Sequence, residues 1–162
     1  MHDPVSFYPT PIYLMRTTLR GFLNIAGRAL LSLVFLLSAL ADKIPHYGQV
    51  VARMTSEGVP APHILLAGAI AFMLLGSLSV IVGYKARFGA CLLLIFTLSG
   101  TYYFHDYWTF ETPELRAEFF KTFLKNISII GGLLLLIANG PGPMSLDNRP
   151  DDQKGNNAKN KE

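Results

Sequence analysis

Three short polar groups interrupt long apolar runs in this chain: Asp42-Lys43, His105-Asp106-Tyr107-Trp108 and Lys125-Asn126. Brought together, they would offer carboxylate, imidazole, ammonium and amide groups, and histidine exchanges protons near neutral pH. That set suits the carbonyls of a quinone. His105 and Asp106 would exchange protons, Lys43, Lys125 and Asn126 would donate hydrogen bonds, and Trp108 would be a stacking wall. The plainer reading is that charges and aromatic rings mark the ends of membrane segments, where Trp and Tyr gather at the interface. Local sequence favours the plainer reading.

Arg28 lies inside an apolar run, where a guanidinium is costly unless it snorkels or pairs. Asp147, expected at the same end, is its candidate partner in a structural ion pair. His46, His63 and His105 match no ligand spacing, so neither a metal nor a haem is expected. Cys91 is the single cysteine, which leaves the chain no disulfide of its own and no dithiol chemistry.

The elements that must position these residues are apolar and long. Residues 127–146 carry no charge, enough for a helix across a hydrocarbon core of about 30 Å. The run meets Gly140-Pro141-Gly142-Pro143, which cannot continue a regular helix. Gly131-Gly132 inside it would let a neighbouring helix approach closely. Further spans are expected at about 22–41, 64–82 and 88–104, with the fourth at 127–143. Ala39-Leu40-Ala41 has the small-x-small form of a signal cleavage site, but a leader this long is unusual and a retained helix is favoured.

Between the spans the chain changes character. Residues 1–21, with Pro4, Pro9, Pro11, Arg16 and Arg20, read as a cytoplasmic arm suited to the headgroup layer. Residues 42–62 form a polar connection with a short amphipathic turn through Val50, Val51 and Met54. Gly83 to Arg87 is so short that only a helical hairpin fits. Leu115, Phe119, Phe120 and Phe123 recur near helical spacing, which predicts a segment along the membrane surface before the fourth span. Residues 148–162 read as a disordered cytoplasmic tail. The 22–147 membrane domain is thus expected to be an all-α, transmembrane four-helix bundle.

The chain has 162 residues, 51% hydrophobic and 15% charged, a balance that places it among membrane proteins. The net charge of +3 comes without a basic stripe, so nucleic acid is excluded as a partner. Arg16, Arg20, Arg28, Lys85, Arg87, Arg149, Lys154, Lys159 and Lys161 fall on one side of the expected topology. Lys43, Arg53, Arg116, Lys121 and Lys125 fall on the other. The bias puts both termini in the cytoplasm.

Arg28 and Lys43 around the first span, GYKAR at 83–87, HDYW at 105–108, and FLKN, GG and GPGP followed by SLD at the end together resemble the DoxX family. The resemblance covers about residues 22–149. It implies a four-helix bundle of the bacterial inner membrane and an association with redox complexes, as for the related DoxD family, which looks like a small subunit of a thiosulfate:quinone oxidoreductase. Two features depart from that pattern. Ala39 to Asp42 lacks the glycine often found before the lysine, and Ala67 to Leu74 lacks the acid that many members carry early in the second span.

The expected function is therefore a quinone-interacting or anchoring subunit of a membrane oxidoreductase complex, with quinone as cofactor. Its expected partners are membrane lipids, a soluble redox protein and further copies of itself. The alternative is a non-catalytic scaffold or small-solute carrier, and the lack of mid-membrane polar groups beyond Arg28 favours the scaffold. No nucleotide, flavin, haem or iron–sulfur motif points to an independent enzyme.

Overall fold

The computed structural model describes residues 11–104 and 112–148, and these are all-helical. The expected proton exchangers His105 and Asp106, and the ring of Trp108, lie outside the described residues. Five α-helices follow in chain order: α1 Pro11–Leu37, α2 Tyr47–Ser56, α3 Pro62–Val82, α4 Ala86–Phe104 and α5 Pro113–Asn139. Three helical stretches are long and apolar enough to cross a membrane: Thr18–Lys43, Pro62–Val82 and Pro113–Asn139. The all-α expectation holds for the described residues, but the transmembrane four-helix bundle is not confirmed: three stretches there meet the length and hydropathy of a span, and the connection after Lys43 folds into a helix of its own.

α1 begins at Pro11, ahead of the span expected from Phe22. Proline suits a first helical position because its missing N–H would have no partner there. The helix does not stop at Leu37 but widens into a π-helical turn, Ser38–Lys43, where the Ile44 amide donates to the Ala39 carbonyl five residues back at 3.0 Å. α2 replaces the short turn expected around Val50, and it buries Val51 and Met54 against Val59 and Leu66. Its end is a Schellman turn. Gly58 takes φ +71°, its amide donates to Thr55, and the Val59 amide donates to Met54 at 2.9 Å.

α3 and α4 form the expected hairpin. Its crossing is close because Gly76 and Gly89 face each other: a Cβ on Gly89 would lie 2.6 Å from Ser79 Cβ and 2.9 Å from the Gly76 carbonyl. Around that crossing sits the core of Phe35, Ala39, Met73, Val80, Ala90, Leu93 and Leu133. Phe35 meets Phe96 edge to face at 6.1 Å.

α5 is one continuous helix rather than a surface segment followed by a separate span. Nothing between Glu114 and Asn139 breaks it, since two glycines inside a long apolar helix cost too little to end it. Only half of the expected glycine contact is made: a Cβ on Gly132 would lie 3.4 Å from Leu31, whereas one on Gly131 would meet open space. α5 packs mainly on α4, and the seam between α1 and α5 is sparse. Leu30, Ile64, Leu75, Phe88 and Leu135 are among the large apolar side chains that remain exposed, a surface suited to hydrocarbon.

Candidate functional site

The bundle has two unlike ends. At one end α1 finishes, α2 and the start of α3 pack beside it, and α4 and α5 pass through; this is the Lys43 end. The π-helical turn shapes it by inserting an extra residue, a device common at functional sites. Lys43 thereby reaches back five residues, its Nζ donating to Ser38 Oγ at 2.9 Å and lying 3.3 Å from an Asp42 carboxylate oxygen. The same ammonium sits 5.8 Å from the centre of the Phe96 ring.

Lys43, Lys125 and Asn126, three of the residues singled out in the sequence, line one cavity of about 370 Å³ with Asp42, Arg53 and Phe96. Asn126 is held by α4, its Nδ2 donating to Thr101 Oγ1 at 2.9 Å. Thr101 in turn donates to the Thr97 carbonyl, and buried Thr97 donates to the Leu93 carbonyl, each at 2.7 Å. A second cavity of about 510 Å³ adjoins the first and is lined mainly by apolar side chains, among them Met54, Leu66, Phe72 and Ile95. Lys43, Val50, Phe96 and Gly100 line both cavities, so the two adjoin across a shared wall, as two lobes of one region. One lobe carries Asp42, Lys43, Lys125 and Asn126 among apolar side chains, and the other is almost wholly apolar.

His46 and His63 stay apart from this cleft's polar lobe. His46 Nδ1 lies 3.1 Å from the Asp42 carbonyl, and the His63 carbonyl accepts from Tyr47 at 3.0 Å. Among the described residues, no three His, Cys, Asp or Glu side chains gather as a metal site would require.

At the Asp147 end a strap, residues 140–148, folds back across the helix termini and lines, with Lys85, Arg87 and Phe88, a cavity of about 680 Å³. Gly140 at φ +75° ends α5, and the strap finishes in the 3-10 turn Leu146–Asn148. Asp147 accepts from the amides of Lys85 at 2.7 Å and Ala86 at 3.0 Å, satisfying donors at the start of α4, while its own amide donates to the Gly83 carbonyl at 2.9 Å. Arg28 is only 4% exposed and donates through Nη2 to the Met144 carbonyl at 3.1 Å; its Nε and Nη1 are buried without a hydrogen-bond partner. Arg28 and Asp147 therefore converge on one end, yet the nearest partner of each is backbone. Among the described residues, the ion pair within 4 Å is Lys43 with Asp42.

Sequence reasoning missed Phe96, Thr97, Thr101 and Arg53. The four-residue step from Thr97 to Thr101 was the available signal, since it sets two hydroxyls on one helix face. No local signal could foretell Phe96, whose role depends on where the π-helical turn delivers Lys43.

Comparison with known proteins places these features. The profile of the SURF4 family matches residues 1–153. The chain is 30% identical over 130 residues to the inner membrane protein YphA of Escherichia coli, covering 80% of this chain and 91% of that one. It is 31% identical over 123 residues to the inner membrane protein YqjF of Escherichia coli, covering 76% and 88%. A Surfeit locus protein 4 homolog of Schizosaccharomyces pombe is 28% identical over 132 residues, covering 80% of this chain but 38% of that longer one. No solved structure matches the chain. These matches overturn the resemblance to DoxX. Of the motifs behind it, GYKAR is the link of a hairpin and GPGP follows a helix end, features that recur wherever short links join membrane helices. The chain is an integral membrane protein and belongs to the SURF4 family.

Proposed function

We propose that this protein is a non-catalytic membrane protein that acts by binding, and that its binding site is the two-lobed cleft at the Lys43 end. The observation that carries the reading is that Lys43, Val50, Phe96 and Gly100 line both cavities, which sets a lining with basic side chains directly beside an apolar one. Together the lobes fall within the size range of small-molecule sites. An amphiphilic molecule satisfies both at once. The relatives named for the bacterial inner membrane and, in Saccharomyces cerevisiae, for ER-derived vesicles support a membrane-resident role.

Gly100 gives the test. It lines both lobes, and a Cβ there would meet nothing within 4 Å, so Gly100→Leu should fill the cleft without disturbing the helices. The purified protein is extracted with solvent and the retained molecules are identified by mass spectrometry. A near-stoichiometric amphiphile in wild type and in Gly131→Leu, lost in Gly100→Leu, is the expected result. Equal retention in all three would remove the cleft as the site.

A second reading keeps the quinone. Lys43 and Asn126 are donors beside the Phe96 ring, an arrangement that suits a carbonyl-bearing aromatic head. Quinone as the retained species, lost in Gly100→Leu, would favour it and with it an anchoring role beside a redox partner. In either reading α4 makes a fourth crossing and both termini face the cytoplasm. Reporter fusions at residues 50, 85 and 155 test this, with a signal from the non-cytoplasmic side expected at 50 alone.

A further inference from the structure

We infer that the cleft at the Lys43 end holds an anionic phospholipid, its phosphate at Lys43 and Lys125 and one acyl chain in the apolar lobe. The inference rests on the cleft being the binding site and adds the chemical class of its occupant. Charge decides the class. Among the described residues, Lys43 and Lys125 line the polar lobe with one carboxylate, that of Asp42, which leaves this lining net positive without counting Arg53. An ammonium has three donors. Lys43 directs two of them to Ser38 and Asp42, and its side chain is still 18% exposed, so it can reach an incoming anion.

The geometry selects a lipid over a soluble anion. The apolar lobe shares Lys43, Val50, Phe96 and Gly100 with the polar one, and its wall of Ile64, Leu65, Phe72 and Ile95 lies on helices whose outer faces are themselves apolar. Burial of hydrocarbon there adds free energy that a free phosphate cannot gain. A neutral molecule such as a quinone would fill the chamber but leave the net charge of the mouth unanswered. The alternative for the lysines is that they only mark the interface, touching whichever lipid passes.

The experiment compares retention of phosphatidylglycerol and phosphatidylcholine by the full chain, reconstituted with each and followed by native mass spectrometry as detergent is raised. Wild type should hold one phosphatidylglycerol at least tenfold more tightly than phosphatidylcholine. Lys43→Gln and Lys125→Gln should each weaken it roughly fivefold, as expected for one cation against an anionic headgroup. Gly100→Leu should abolish it while Gly131→Leu does not, and circular dichroism should show all four variants folded. Equal retention of both lipids, with Gly100→Leu removing both, would overturn the anionic headgroup and leave the cleft standing. Retention of phosphatidylglycerol unchanged in Gly100→Leu would overturn the headgroup assignment and the cleft together.

Discussion

The two ends of this bundle are built from similar residue types and do opposite things with them. At the Asp147 end, an aspartate, an arginine and several glycines are consumed in closing the structure. Asp147 satisfies two amides, Arg28 holds a strap carbonyl, and Gly83 makes room for the guanidinium. A cavity of about 680 Å³ remains beside the strap, lined by Lys85, Arg87 and Asp147, whereas at the Lys43 end Asp42, Lys43, Lys125 and an open glycine line a cavity that no strap crosses. The lesson is that charge in a membrane protein is not by itself a sign of function. What separates the ends is whether backbone groups have already taken up the polar side chains.

That contrast can be broken by mutation, and the largest effect should come from Gly83→Ala. Gly83 sits at φ +74°, and a Cβ there would meet the Arg28 guanidinium and lie 2.6 Å from Ser145 Cβ. Left-handed strain and the clash together should cost about 3 kcal/mol or more, read as a fall in the thermal midpoint of the purified protein. A midpoint within a degree of wild type would show that the strap is not pinned there.

Asp147→Ala should come next. It strands the Lys85 and Ala86 amides at the start of α4, with an expected loss of about 2 kcal/mol, and Asp147→Asn should recover part of it. Gly89→Ala probes the α3–α4 crossing and should cost roughly 1–3 kcal/mol through overpacking, since backbone lies 2.9 Å from the added methyl. At the open end the order of effects reverses. Gly100→Leu should leave stability unchanged or raise it by up to about 1 kcal/mol, because leucine is the better helix former, while removing the bound amphiphile. If Gly100→Leu unfolds the protein as Gly83→Ala does, the Lys43 end is packed rather than open and the comparison fails.

Much of the scaffold was legible from sequence. Pro62 and Gly83 bracket α3 as a helix start and stop, and the GYKAR link left no alternative to a hairpin. The Gly-Pro pair after Asn139 ended α5 as glycine and proline chemistry requires. The family was not legible in the same way. Gly-Pro stops and basic links answer a local backbone problem shared by many bundles, so they point to an architecture and not to a lineage. The matches along residues 1–153 settle the lineage because they draw on the whole chain.

The site divides along similar lines. Lys43, Lys125 and Asn126 stood out because charge and amide at the edge of an apolar run are expensive, and that cost is visible one residue at a time. Whether they meet is a matter of three helices and one extra residue in a π-helical turn. Hydropathy has no term for that rotation, so Phe96 under the Lys43 ammonium and the chamber beyond it were invisible. Arg28 teaches the same from the other end: sequence offered a carboxylate as its partner, and the folded strap put the Met144 carbonyl nearer. Sequence by itself determined where α3 starts and stops, that α5 ends before the Gly-Pro run, and that the helices belong in a membrane, because these follow from local backbone chemistry and transfer free energy. Only tertiary structure decided which polar groups the strap takes up and which cavity each one lines, because both depend on how distant segments pack.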